Sequence, residues 1–66
     1  MLRIGMVGAG AIAETHAGNL ARIKGVRVAG VLDAVPERAA AMAGRCGATA
    51  YRSLEELLAA VDAVYV

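Results

Sequence analysis

The chain has 66 residues, room for one small domain or for part of a larger one. Hydrophobic residues make up 59% and charged residues 20%, which excludes a disordered tail. A single cysteine (Cys46), a single histidine (His16) and a net charge of +1 exclude an internal disulfide, a Cys/His structural zinc site and the basic footprint of a nucleic-acid binder. Aromatic residues are only 3%, so the apolar content is mostly Ala, Val, Leu and Ile, as in helices packed closely on a buried parallel sheet. No run is long enough for a signal peptide or a membrane-spanning helix, so neither a membrane nor a nucleic-acid partner is expected, and the expected location is cytoplasmic.

Leu2 to Val7 is a short apolar run ending at glycine, read as strand one. From Ala11 the period changes to that of a helix. Ile12, His16 and Leu20 form one stripe, with Ala13 and Ala17 beside it, and Gly25 closes the segment. Val26 to Leu32 reads as strand two. Pro36 suits a first-turn helical position, and the helix runs through Glu37, Arg38 and Ala39–Ala43 to a left-handed cap at Gly47. Ala48 to Tyr51 is strand three. Ser53-Leu54-Glu55-Glu56 fits a capping box, in which Ser53 accepts from the Glu56 N–H and the Glu56 carboxylate reaches back to the Ser53 N–H. A short helix to about Ala60 and a fourth strand, Val61 to Val66, complete the order β-α-β-α-β-α-β.

That alternation specifies an α/β fold, a partial Rossmann-type doubly wound parallel sheet with helices on both faces. The sequence stops on Val64-Tyr65-Val66, inside an apolar strand, and complete domains of this class run to about 150 residues. The expectation is a fragment: residues 1–66 are the N-terminal part of a nucleotide-binding domain, with any substrate domain outside the chain.

Gly8-Ala9-Gly10-Ala11-Ile12-Ala13 is G-x-G-x-x-A between the first strand and the first helix. Gly8 allows the tight turn, Gly10 lets a pyrophosphate approach the backbone, and Ala13 must be small where helix meets strand. The helix N-terminus, from Ala11 and Ile12 onward, then offers N–H groups and a positive dipole end to the phosphates. Asp33 lies 23 positions after Gly10, at the end of strand two, where a carboxylate accepts from the adenosine ribose hydroxyls. A carboxylate there repels a 2′-phosphate, so NAD is expected over NADP. Arg38, one turn into the next helix, is the residue that could reach such a phosphate. The competing local reading makes Asp33 a helix cap.

His16 is read as a packed or locally bonded helix-face residue, Cys46 as a small core filler, and Arg3, Arg22, Lys24 and Arg27 as solvated surface. No residue is assigned as catalytic or as a metal ligand.

The segments Arg3-Ile4-Gly5-Met6-Val7-Gly8-Ala9-Gly10-Ala11-Ile12-Ala13-Glu14-Thr15-His16, Val28 to Asp33, Pro36-Glu37-Arg38-Ala39, Ser53-Leu54-Glu55-Glu56-Leu57-Leu58 and Asp62-Ala63-Val64-Tyr65-Val66 resemble, in order, the start of the Gfo/Idh/MocA oxidoreductases. The resemblance implies hydride transfer between NAD(P) and a hydroxyl-bearing carbon, typically of a sugar, cyclitol or related polyol substrate; a homo-oligomer is also expected. It places Gly8, Gly10 and Ala13 in the pyrophosphate turn, Ala11 and Ile12 along it, and Asp33 at the ribose. The family's Glu-Lys-Pro lysine and its substrate-domain histidine and aspartate fall beyond Val66, so this segment alone is expected to be inactive. Two other readings stay open on the same residues: a non-catalytic nucleotide-binding or sensor module, and a fragment that self-associates through its open fourth strand.

Overall fold

The computed structural model describes residues 1–8 and 10–66, with the side chains of Ala11, Ile12 and Glu14 outside the description. The elements are β1 (Leu2–Val7), α1 (Ala11–Ala21), β2 (Val26–Leu32), α2 (Pro36–Cys46), β3 (Thr49–Ala50), α3 (Leu54–Ala60) and β4 (Ala63–Tyr65). All strand pairs are parallel, in the order β3-β2-β1-β4. The chain therefore winds outward from β1 through β2 to β3, then returns to pair β4 with the other side of β1. The point where winding reverses is the carboxyl end of β1, flanked by β2 and β4.

The two faces of the sheet are packed by different means. On one, Ile4, Met6, Val28 and Val31 meet Ala17 of α1 and Ala39, Met42 and Ala43 of α2 in a single buried cluster. The alanines let both helices lie close to the strands. Ala13 and Leu20 pack against this cluster too, so among the described side chains of α1 the sheet-facing ones include Ala13, Ala17 and Leu20; the expected Ile12 of that stripe lies outside the described side chains.

On the other face the small residues belong to the strands. Gly5 and Gly30 are register partners, and fully buried Leu57 of α3 sits over both. A Cβ on Gly30 would lie 2.6 Å from Leu57 Cδ1 and 2.8 Å from Tyr51 Cε2; one on Gly5 would lie 3.0 Å from Leu57 and Val61. Close approach of α3 requires these glycines.

β2 achieves this two-sided pattern with a bulge. The register moves from Ile4↔Val28 to Gly5↔Gly30, leaving Ala29 as an extra residue. Val28 and Val31 are three apart and would face opposite sides of a regular strand; the extra residue turns Val31 back to the Met6 side. The sequence shows only an apolar run here.

Local signals largely act as expected. Pro36 opens α2 and Gly47 ends it at φ +67°. The capping box forms with one change: Glu56 N–H donates to Ser53 Oγ at 3.1 Å, but the return bond runs from the Ser53 hydroxyl to Glu56 Oε1 at 3.3 Å, not from the Ser53 N–H. Strands three and four are shorter than expected because Ala48, Tyr51, Val61, Asp62 and Val66 fall outside the ladder. Arg3 is no free surface cation. Its side chain grips Asp62 through Nε (3.2 Å) and Nη2 (3.1 Å), its own N–H donates to Asp62 Oδ2 (2.8 Å), and Asp62 N–H donates to Arg3 O (2.8 Å).

Candidate functional site

Two clefts open along the carboxyl end of the sheet and meet at Val7 and Gly8. One, of about 900 Å³, lies on the β2 side and is lined by Leu32, Asp33, Ala34, Pro36, Tyr51 and Arg52 in addition. The other, of about 510 Å³, lies on the β4 side, among Met6, Gly10, Ala13, His16, Tyr65 and Val66. The shared wall is the turn that leaves β1. Gly8 donates its N–H to Leu32 O at 2.8 Å and takes φ +98°, a conformation that an L side chain strains to adopt.

The chain then enters α1 at Gly10, an N-cap residue with extended backbone and no side-chain cap bond. The first N–H groups of any α-helix lack intrahelical acceptors, and here no cap side chain competes for them. A Cβ on Gly10 would meet nothing within 4 Å, so the space over this turn is open on the cleft side. Open donors, a positive dipole end and empty space above a glycine fit a diphosphate. Ala13 is half-buried one turn along and packs on the core, which keeps the helix close to β1. Ala9 lies outside the described residues; for Ala11 and Ile12 the backbone is the start of α1, and their side chains lie outside the description.

Asp33 is half-buried just past β2, on the wall facing the Gly8 turn. Its Oδ1 accepts from Val35 N–H at 2.8 Å, so the carboxylate shapes the turn into α2, whose N-cap is Val35. A carboxylate has about four acceptor positions, so this turn bond and ribose hydroxyls are compatible uses of one side chain. Arg38 is exposed in the first turn of α2, outside the cleft lining. The cation that the fold puts in the cleft wall is Arg52. Sequence reasoning passed over it, although it directly precedes the Ser53 cap at the carboxyl end of β3, where loops of a parallel sheet converge on ligands.

His16 is bonded, but not locally. Its Nδ1 lies 2.9 Å from the Tyr65 hydroxyl, with ring centroids 4.8 Å apart and planes tilted by 43°. Cys46 packs against the core with Sγ 3.8 Å from Met42 Sδ, and burial pushes its thiol pKa up despite Arg45.

Comparison with known proteins bears on this geometry. The sequence profile described as "Oxidoreductase family, NAD-binding Rossmann fold" matches residues 2–66. The chain belongs to the Gfo/Idh/MocA oxidoreductase family. No match was found among curated proteins. Among solved structures, this Gfo/Idh/MocA chain is similar to the UDP-N-acetylglucosamine 3-dehydrogenase GnnA from Acidithiobacillus ferrooxidans, at 41% identity and TM-score 0.82, covering 96% of this chain and 20% of that one. A myo-inositol dehydrogenase from Corynebacterium glutamicum gives 33% identity and TM-score 0.85, covering 97% and 20%. The WlbA dehydrogenase from Bordetella pertussis, in complex with NADH and UDP-GlcNAcA, gives 31% and 0.86, covering 98% and 20%. The chain thus spans about a fifth of each of these dehydrogenases. Among the described residues, no helix is long and apolar enough to cross a membrane.

Proposed function

We propose that residues 1–66 form the N-terminal part of the NAD(P)-binding domain of a dehydrogenase that oxidises or reduces a hydroxyl-bearing carbon of a sugar, cyclitol or nucleotide-linked sugar, with the substrate domain outside this segment. The observation that carries the proposal is the pairing of an uncapped helix N-terminus at Gly10, in one cleft, with a carboxylate, Asp33, in the adjoining cleft that shares Val7 and Gly8 with it. Gly8 sets the turn, Gly10 leaves room for the diphosphate, and the N–H groups at Ala11 and Ile12 face its charge. Ala13 keeps α1 near the sheet. Asp33 accepts from the adenosine ribose hydroxyls and, by like charge, disfavours a 2′-phosphate, so NAD is preferred over NADP. Arg38 is exposed in the first turn of α2 and is not among the residues that line this cleft. When bound, the nicotinamide ring supplies hydride acceptance and donation. The sugar-dehydrogenase neighbours support the substrate class.

The test is titration of NAD and NADP into the full-length protein and its Asp33→Ser variant. Serine keeps an oxygen for Val35 N–H, so the turn is retained while the reach to the ribose is lost. NAD affinity should fall tenfold or more, the scale of charge-assisted hydrogen bonds, and the NAD-to-NADP preference should collapse. An unchanged preference would overturn the proposal.

A further inference from the structure

We propose that the guanidinium of Arg52 stacks on the adenine face of the dinucleotide, which makes Arg52 the residue that sets the nucleobase this site prefers. This rests on the preceding reading of the cleft at Gly8 and Asp33 as a dinucleotide site.

The register of the sheet carries the assignment. The last paired positions are Val7 with Leu32 and Val31 with Ala50. Main-chain bonds extend the alignment past them: Gly8 N–H donates to Leu32 O and Tyr51 N–H to Val31 O, each at 2.8 Å. Counting on from those pairs sets Gly8, Asp33 and Arg52 at one level, just beyond β1, β2 and β3 respectively. Neighbouring strands lie about 4.8 Å apart, so the three positions mark a path of roughly 10 Å across the carboxyl end of the sheet. A dinucleotide with its diphosphate at Gly8 and its ribose at Asp33 carries its base along that line to Arg52. The direction is set by β1, β2 and β3 alone.

The lining at the end of the path suits a base. Leu32, Ala34, Pro36 and Tyr51 bring apolar surface to the cleft, and its charged groups are Asp33 and Arg52. Tyr51 is half-buried and seated on the sheet, since a Cβ on Gly30 would stand 2.8 Å from its Cε2. Arg52 is exposed and, among the described residues, makes no hydrogen bond or ion pair. Its side chain is thus uncommitted where the base arrives. A guanidinium is planar, weakly hydrated and attracted to aromatic faces. The Asp33 carboxylate one strand away opposes a phosphate on the same ribose, which leaves the base as the partner for the cation.

The experiment titrates NAD, NADP and nicotinamide cytosine dinucleotide into the full-length protein and its Arg52→Ala variant. An exposed position makes this substitution close to neutral for folding. The unaltered protein should prefer NAD to the cytosine dinucleotide, because a pyrimidine offers a smaller face. In the variant, NAD and NADP should weaken by the same factor, about two- to fivefold, the scale of an exposed cation–π contact. The cytosine dinucleotide should weaken less, so the preference for adenine narrows. Unchanged NAD affinity would overturn the proposal, as would equal losses for NAD and the cytosine dinucleotide, which assign Arg52 to the diphosphate. A loss confined to NADP would assign it to the 2′-phosphate and overturn the proposal as well, and so would an unaltered protein that does not distinguish the two bases. Absence of binding by all three dinucleotides in the unaltered protein would instead overturn the dinucleotide reading, and the role of Arg52 with it.

Discussion

At the amino-terminal end of the sheet, Arg3 donates through its main-chain N–H, Nε and Nη2 to the Asp62 carboxylate, and Asp62 N–H donates to Arg3 O. At the carboxyl-terminal end, the helix following β1 opens on Gly10 with no side-chain cap. The first end is closed by the chain's own groups: β1 is tied to the turn before β4, and Leu2 N–H donates to Gly25 O at 2.7 Å. The second end keeps glycine where a serine or aspartate would cap the helix, although the chain uses such a cap at Ser53, ahead of α3. The difference teaches where this small fold spends its polar groups. One end fastens strands, and the other leaves a carboxylate and an uncapped helix start at the clefts, where the proposed function places a ligand.

Variants that act on one end, the other, or the layer between them can break that division. The largest effect belongs to the layer. Leu57→Ala removes a fully buried side chain seated on Gly5 and Gly30, and should cost about 2–5 kcal/mol in urea unfolding of the full-length protein. A cost under about 1 kcal/mol would mean that α3 simply settles onto the paired glycines. Gly10→Asp comes next and sharpens the comparison, because its two effects have opposite signs. An aspartate caps α1 and raises stability by a few tenths of a kcal/mol, measured by unfolding midpoint. The same carboxylate occupies the open space over the turn and should weaken NAD binding at least tenfold, about 1.4 kcal/mol. Stability and affinity falling together would show that the uncapped end is not reserved for an anion.

Much of this architecture is legible in the sequence, because its signals are local. Pro36, Gly47 and Ser53 mark helix ends by backbone chemistry that needs no partner elsewhere, and Gly8 marks its turn in the same way. What escapes the sequence depends on distant partners. The Ala29 bulge exists because β2 must present Val31 to one face and Gly30 to the other, a demand set by α3 and invisible in an apolar run. Arg3 reads as a surface cation until β4 brings Asp62 beside it. His16 reads as a helix-face residue until Tyr65 arrives from the far end of the chain. Arg52 was legible in principle: parallel order alone sends the residues after each strand to the ligand end, and β3 was identified.

The smallest effect concerns the closed end, where exposure limits what the ion pair contributes. Hydrogen bonds from the Arg3 side chain, then from its backbone N–H, hold the Asp62 carboxyl below its ordinary value of 3.8, and the same contact raises the Arg3 guanidinium. A carboxylate with a depressed folded pKa adds stability at pH above its unfolded value, and the gain disappears as pH falls through the folded value. The stability difference between the native protein and Asp62→Asn should therefore be constant from neutrality to about pH 5, then shrink below 3.8. Both side chains are about half exposed, at 49% and 38%, so added salt should weaken the difference near neutral pH as well. NAD affinity should be the same in both proteins throughout, since Asp62 lies at the opposite end of the strands from Gly8 and Asp33. A pH-independent difference would assign the fastening to the backbone bonds alone, and altered NAD affinity would mean that the two ends of the sheet are coupled through β1.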